Sequence, residues 1–177
     1  MPVASAREAG RLARELEVDC LLSIGGGSAV GTAKAVALET GLPILALPTT
    51  YAGSEMTPIH GTTSDGVKRT GRSDQVLPRT VLLDPVLSVD LPLDLTRFSA
   101  VNALAHCAGG VFATGRGPFT DLLAVGGVAL LLAGLGRVVT NPTDLAARGD
   151  LTTGPVKRPI ICSAYTPVPC QNVQFSL

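Results

Sequence analysis

The stretch from Cys20 to Ser28, CLLSIGGGS, constrains this chain more than any other: an apolar run of strand length enters three glycines and then an Ala-rich helix. Leu21, Leu22 and Ile24 predict a strand, and its near-continuous apolarity predicts burial on both faces, as in a parallel sheet. Glycines at the end of such a strand let backbone approach a phosphate. The N-terminus of the helix that follows, Ser28 to Leu38, offers unpaired N–H groups and a positive dipole end. Lys34 stands on its second turn. Gly25 and Gly27 match the first two glycines of GxGxxG, but Val30 takes the third place, and no acidic residue follows the next strand to hold a ribose. The turn reads equally as a phosphate cradle or as a tight turn of an α/β protein.

The segments around it follow the same grammar. Ala4 to Glu17 places Ala9, Leu12, Ala13 and Leu16 at helical spacing behind Ser5 as N-cap. Gly41 stops the helix after the turn, and Pro43 to Leu47 is a second apolar strand. Helix, strand, helix, strand with short links predicts an α/β sheet with right-handed crossovers, although two strands make only part of a doubly wound one. A hairpin of Ile59 to Thr63 and Val67 to Thr70, turning at Asp65-Gly66, comes next, and then a strand from Thr80 to Leu83.

Beyond Asp94 the pattern turns helical, with helices from Leu95 to Val111 and from Pro118 to Val139, and a third starting between Asp144 and Gly149. The uncharged run Leu122 to Gly136 falls short of the about 20 apolar residues a membrane span needs, and reads as a buried helix. From Leu151 onward, Pro155, Pro159, Pro167 and Pro169 leave no periodicity. The expected organisation is a partial Rossmann-like nucleotide-binding α/β domain over 1–92, part of an all-helical domain over 93–150, and an irregular tail over 151–177.

Composition narrows the function classes. Basic and acidic residues balance at 14 each, aromatics are few and Trp is absent, which argues against nucleic-acid and anionic-membrane partners. Cys20, Cys107, Cys162 and Cys170 form no CxxC pair and no zinc spacing, so a reducing cytoplasm is expected.

Thr49, Thr50, Ser54 and Glu55, in PTTYAGSEMTP, stand at the end of the second strand, the edge where open α/β sheets bind ligands. Their hydroxyls suit a phosphate or a nicotinamide amide, or equally a helix cap. Lys68, in SDGVKRT, can reach an anion or simply be solvated. His106 follows Asn102 by four residues, which puts both on one helix face. Asn is a poor metal ligand and His60 is the second of only two histidines, so no four-ligand site assembles and no metal is expected.

With GGGSAVGTAKAVAL, LPILALPTTYAGSEMTPI, TSDGVKRT, LPRTVLLDPVLSVDLP and NALAHC in this order, the chain resembles the iron-containing alcohol dehydrogenase superfamily, and within it the maleylacetate reductase branch most. The resemblance is strong from Ala4 to His106, fades through Arg148 and ends at Leu151. It implies the dehydroquinate synthase-like architecture, a nucleotide-binding domain followed by a helical one. By motif position it implies Gly25, Gly26, Gly27 and Ser28 on a dinucleotide pyrophosphate, Thr49, Thr50 and Ser54 toward the nicotinamide, Lys68 on the cofactor, and His106 as the catalytic residue. NADH or NADPH would reduce the enone double bond of maleylacetate to 3-oxoadipate, as in aromatic-compound degradation. Asn102 stands where metal-dependent relatives carry Asp, so His106 would be a ligand only if metal binds.

The resemblance also implies that strands before Met1 and the second helical half of the family fold lie outside this chain. With the loss of likeness at Leu151, a truncated or frame-changed gene product is expected. Alternatives are a non-catalytic fragment that binds nucleotide weakly or pairs with another subunit, a metal-dependent alcohol dehydrogenase, and a sugar-phosphate enzyme of the dehydroquinate synthase type. Exposed sheet edges and an unfinished helical core predict self-association, with a homodimer as one form, or poor solubility.

Overall fold

Strands β1 (Leu21–Gly25) and β2 (Ile44–Pro48) pair in parallel, and helix α2 (Gly27–Thr40) crosses between them and packs against both. The computed structural model describes residues 3–64, 67–112, 117–163 and 172–175. They fall into two compact units, an α/β unit drawn from 3–48, 54–82 and 172–174, and a helical unit drawn from 49–53 and 83–163.

In the α/β unit α1 (Val3–Glu15) lies along α2 and buries Ala6, Gly10 and Ala13. The expected face is therefore corrected: Leu12 and Leu16 are exposed, and Ser5 lies inside the helix instead of capping it. Helix α2 ends as its sequence predicts. Gly41 takes a left-handed conformation (φ 78°), and its N–H donates to the Ala37 carbonyl at 2.8 Å. β3 (Ile59–Ser64) and β4 (Val67–Arg72) form the expected antiparallel hairpin, with His60 opposite Gly71 and Thr63 opposite Lys68. Its Asp65-Gly66 turn lies outside the described residues.

β5 (Thr80–Leu83) extends the sheet, in parallel with β2, and β6 (Asn172–Phe175) completes the order β1-β2-β5-β6. β1 is thus an edge strand, and burial on both its faces is not found. Ser23 is buried, while Leu22 and Ile24 on the opposite face are 58% and 57% exposed. A parallel strand loses water from both faces only where both carry a covering layer.

The helical unit holds α3 (Leu93–Val111), α4 (Pro118–Thr140) and α5 (Leu145–Ser163). Its core gathers Tyr51, Ala100, Ala103, Cys107, Leu131, Val138, Ala147 and Leu151. Close approach of α4 and α5 depends on glycine: a methyl built on Gly134 would stand 2.8 Å from the Ala147 carbonyl oxygen. Asp144 caps α5, its carboxylate accepting the Ala147 N–H at 2.9 Å. This helix continues through Ser163, and β6 follows it, so the irregular chain expected from Leu151 is corrected for those stretches. The buried helix expected within 122–136 is corrected as well. α4 spans 23 residues and buries one stripe only, leaving Phe119, Leu122, Val125 and Leu132 exposed.

Candidate functional site

The glycine turn begins at the carboxyl end of β1, where Gly25 pairs in register with Pro48 at the end of β2. Both strands therefore release their chain at one edge of the sheet, β1 into the glycines and β2 into Thr49. Gly25 has φ +140°, and a Cβ there would lie 2.9 Å from the Ala29 Cβ. Only glycine suits this position. Gly26 caps α2 in an extended conformation without any side chain bonding to the helix end, and the Val30 N–H makes its helical bond to the Gly26 carbonyl at 3.2 Å.

The N–H groups of Gly27, Ser28 and Ala29 precede that bond, the positions that an α-helix leaves without an intrahelical acceptor. Gly27 and Ser28 are exposed. N–H groups at the positive end of a helix suit the charge of a phosphate. This cradle is made of backbone. A cofactor phosphate placed here would meet the backbone of Gly25, Gly26, Gly27 and Ser28.

Lys34, which the sequence places near that cradle, is fully buried and turned to another use. Its ammonium donates to the carbonyl oxygens of Ser54 at 2.7 Å, Thr57 at 2.6 Å and Ile59 at 2.8 Å. The segment that carries the predicted site residue Ser54 is thereby tied to α2, with Ser54 opening a short 3₁₀ turn, Ser54–Met56. Glu55 in that turn is buried too. Lys68 lies on β4 opposite Thr63.

The remaining predicted residues belong to the helical unit. Thr49 and Thr50 are half-buried just beyond β2. Asn102 and His106 share the exposed face of α3, as their spacing predicts. Among the described residues no three His, Cys, Asp or Glu side chains gather as metal ligands.

Tyr51 and Arg148 form a centre that sequence reasoning missed. Arg148 is 1% exposed. Its guanidinium donates to the carbonyls of Pro142 at 3.0 Å, Val89 at 3.2 Å and Leu91 at 3.4 Å, and to the hydroxyls of Thr96 at 2.9 Å and Tyr51 at 3.2 Å. The Tyr51 hydroxyl donates in turn to Ser88 Oγ at 3.1 Å. Tyr51 sits in the middle of PTTYAGSE, so one side chain of the apparent ligand loop is a core residue. The only signal for Arg148 is a charged residue on the same helical side as Ala147 and Leu151.

Residues 1–85 match the model of the iron-containing alcohol dehydrogenase family. The particular relatives are maleylacetate reductases. Over 154 residues the chain is 51% identical to the maleylacetate reductase of Burkholderia cepacia, a match covering 87% of this chain and 44% of that protein. The maleylacetate reductase structure from Agrobacterium tumefaciens superposes with a TM-score of 0.88 at 38% identity, covering 91% of this chain and 46% of that one. A sulfoacetaldehyde reductase from Bifidobacterium kashiwanohense, solved in complex with NAD+, gives a TM-score of 0.83 at 26% identity, covering 90% and 48%. The chain is thus similar to part of an iron-containing alcohol dehydrogenase fold, as its motifs predict, and spans less than half the length of the curated relatives it matches.

Proposed function

We propose that this chain carries the nucleotide-binding half of a reductase of the maleylacetate reductase type, acting in the cytoplasm on a small unsaturated oxo acid. The observation that carries the reading is the backbone cradle at Gly25–Ser28, set at the carboxyl edge of β1 and β2 in a chain 51% identical to a maleylacetate reductase. On this reading Gly25, Gly26, Gly27 and Ser28 take the pyrophosphate of NADH or NADPH, Thr49, Thr50 and Ser54 serve the nicotinamide end, and Lys68 adds a cationic contact. When bound, the reduced nicotinamide supplies a hydride to the enone double bond of maleylacetate. His106 would bind the substrate and supply the proton that completes 3-oxoadipate, since an imidazolium stabilises a developing enolate as a positioned donor does.

Titration of NADH and NADPH into the protein, followed by the cofactor's own fluorescence, tests the cradle. Addition of maleylacetate then tests turnover. Saturable binding with substrate-dependent loss of the signal is expected; absence of binding at millimolar cofactor rejects the reading. A second reading, nucleotide binding without turnover, draws support from the family model's match to residues 1–85, the part that carries the glycine turn. It predicts saturation of the fluorescence change with no loss on adding maleylacetate.

A further inference from the structure

The Lys34 ammonium has three N–H donors, and the carbonyl oxygens of Ser54, Thr57 and Ile59 match them, so its charge is committed to backbone and not to an anion. Thr57 Oγ1 closes the cluster, accepting from Lys34 Nζ at 3.4 Å and donating to the Ser54 carbonyl at 3.1 Å. Burying an ammonium is costly unless its donors find acceptors, and the 54–59 segment is held where it supplies them. Gly27 and Lys34 stand about two turns apart on α2, so they share one face of the helix, separated along its axis by about 10 Å. Helical side chains lean toward the N-terminus, the end that carries the glycine turn. Glu55, Met56, Thr57 and Pro58 are buried, whereas Ser54 at the head of the segment is half-buried. One buried cation therefore joins the helix that begins at the glycine turn to the segment that presents Ser54.

We infer that Lys34 is a positioning residue for the nicotinamide cofactor: it acts through the 54–59 segment and not on the ligand, setting Ser54 in place before the nicotinamide half arrives. The inference rests on the reductase reading, in which the glycine turn takes the pyrophosphate and Ser54 serves the nicotinamide end. A lysine that only stabilised the α/β unit would affect every nucleotide alike. A positioning lysine affects only the half of the dinucleotide that needs Ser54.

The test titrates the full chain by calorimetry with NADH and with ADP, which carries the pyrophosphate but no nicotinamide riboside. Lys34→Met should weaken NADH binding by about 10-fold while ADP stays within about 2-fold, the result if the released segment holds its binding position about one tenth of the time. Thr57→Val keeps the ammonium and its three carbonyls but removes the hydroxyl of the cluster, and should weaken NADH by about 2- to 3-fold with ADP unchanged. In the parent chain NADH should slow amide exchange over 54–59, and ADP should not. Should circular dichroism find Lys34→Met unfolded, Thr57→Val and the exchange comparison decide. Equal losses of NADH and ADP, an NADH affinity that neither variant moves, or NADH binding that leaves 54–59 exchange unchanged overturns the inference and leaves the reductase reading standing. A parent chain that binds no NADH overturns both.

Discussion

The α/β unit and the helical unit each organise irregular backbone around one buried cation, and they do it over different distances. In the first, the point charge of Lys34 gathers three carbonyls from a single stretch, residues 54, 57 and 59. In the second, the planar fork of Arg148 collects acceptors from residues 51, 89, 91, 96 and 142, four separate parts of the chain. An ammonium directs three donors into a compact cluster, whereas a guanidinium spreads five in a plane and can brace several segments at once. Local tethering by Lys34 holds one loop against α2, and distributed bracing by Arg148 ties together several separate parts of the helical unit.

Replacing each cation tests that contrast most directly. Arg148→Met should cost about 4 kcal/mol or more, because several buried acceptors lose their donor at once. The loss is read from chemical denaturation, with amide exchange accelerating in α3 and α5. Lys34→Met should cost about 2–3 kcal/mol by the same reasoning, with faster exchange centred on 54–59. Equal costs for the two, or exchange changes spread alike, would break the comparison.

Smaller effects sharpen it at the level of backbone. Gly25→Ala forces a side chain into φ +140° and against Ala29, for about 1–3 kcal/mol of strain. It should weaken NADH binding in the fluorescence titration by more than the stability loss explains. Gly71→Ala places a methyl 2.7 Å from the His60 imidazole across the hairpin. A loss of about 1 kcal/mol is expected, since the ring can swing aside, and the thermal midpoint measures it.

Much of this was legible in the residues. The strand–glycine–helix order, the stop at Gly41, the hairpin and the starts of α3 and α4 follow from local chemistry that acts within a few residues. The glycine turn was legible as geometry too, because φ +140° at Gly25 and an uncapped helix start are properties of the turn itself. What eluded sequence reasoning depends on neighbours far along the chain. Lys34 on the second turn after three glycines suggests a phosphate lysine, and nothing local says that carbonyls some 20 residues on will claim it. Arg148 and Tyr51 meet across 97 positions of sequence. Leu22 and Ile24 carry the composition of a doubly buried strand, yet a strand's outer face is covered only if some other element reaches it.

The Lys34 ammonium, surrounded by three carbonyls and closed to solvent, also keeps time. An amine-reactive reagent finds this nitrogen only after the 54–59 segment has lifted from α2. Its rate of modification, measured by peptide mass against that of exposed amines in the unfolded chain, would therefore count the openings of that loop directly, and a slow count would mark the 54–59 segment as a fixed part of the α/β unit.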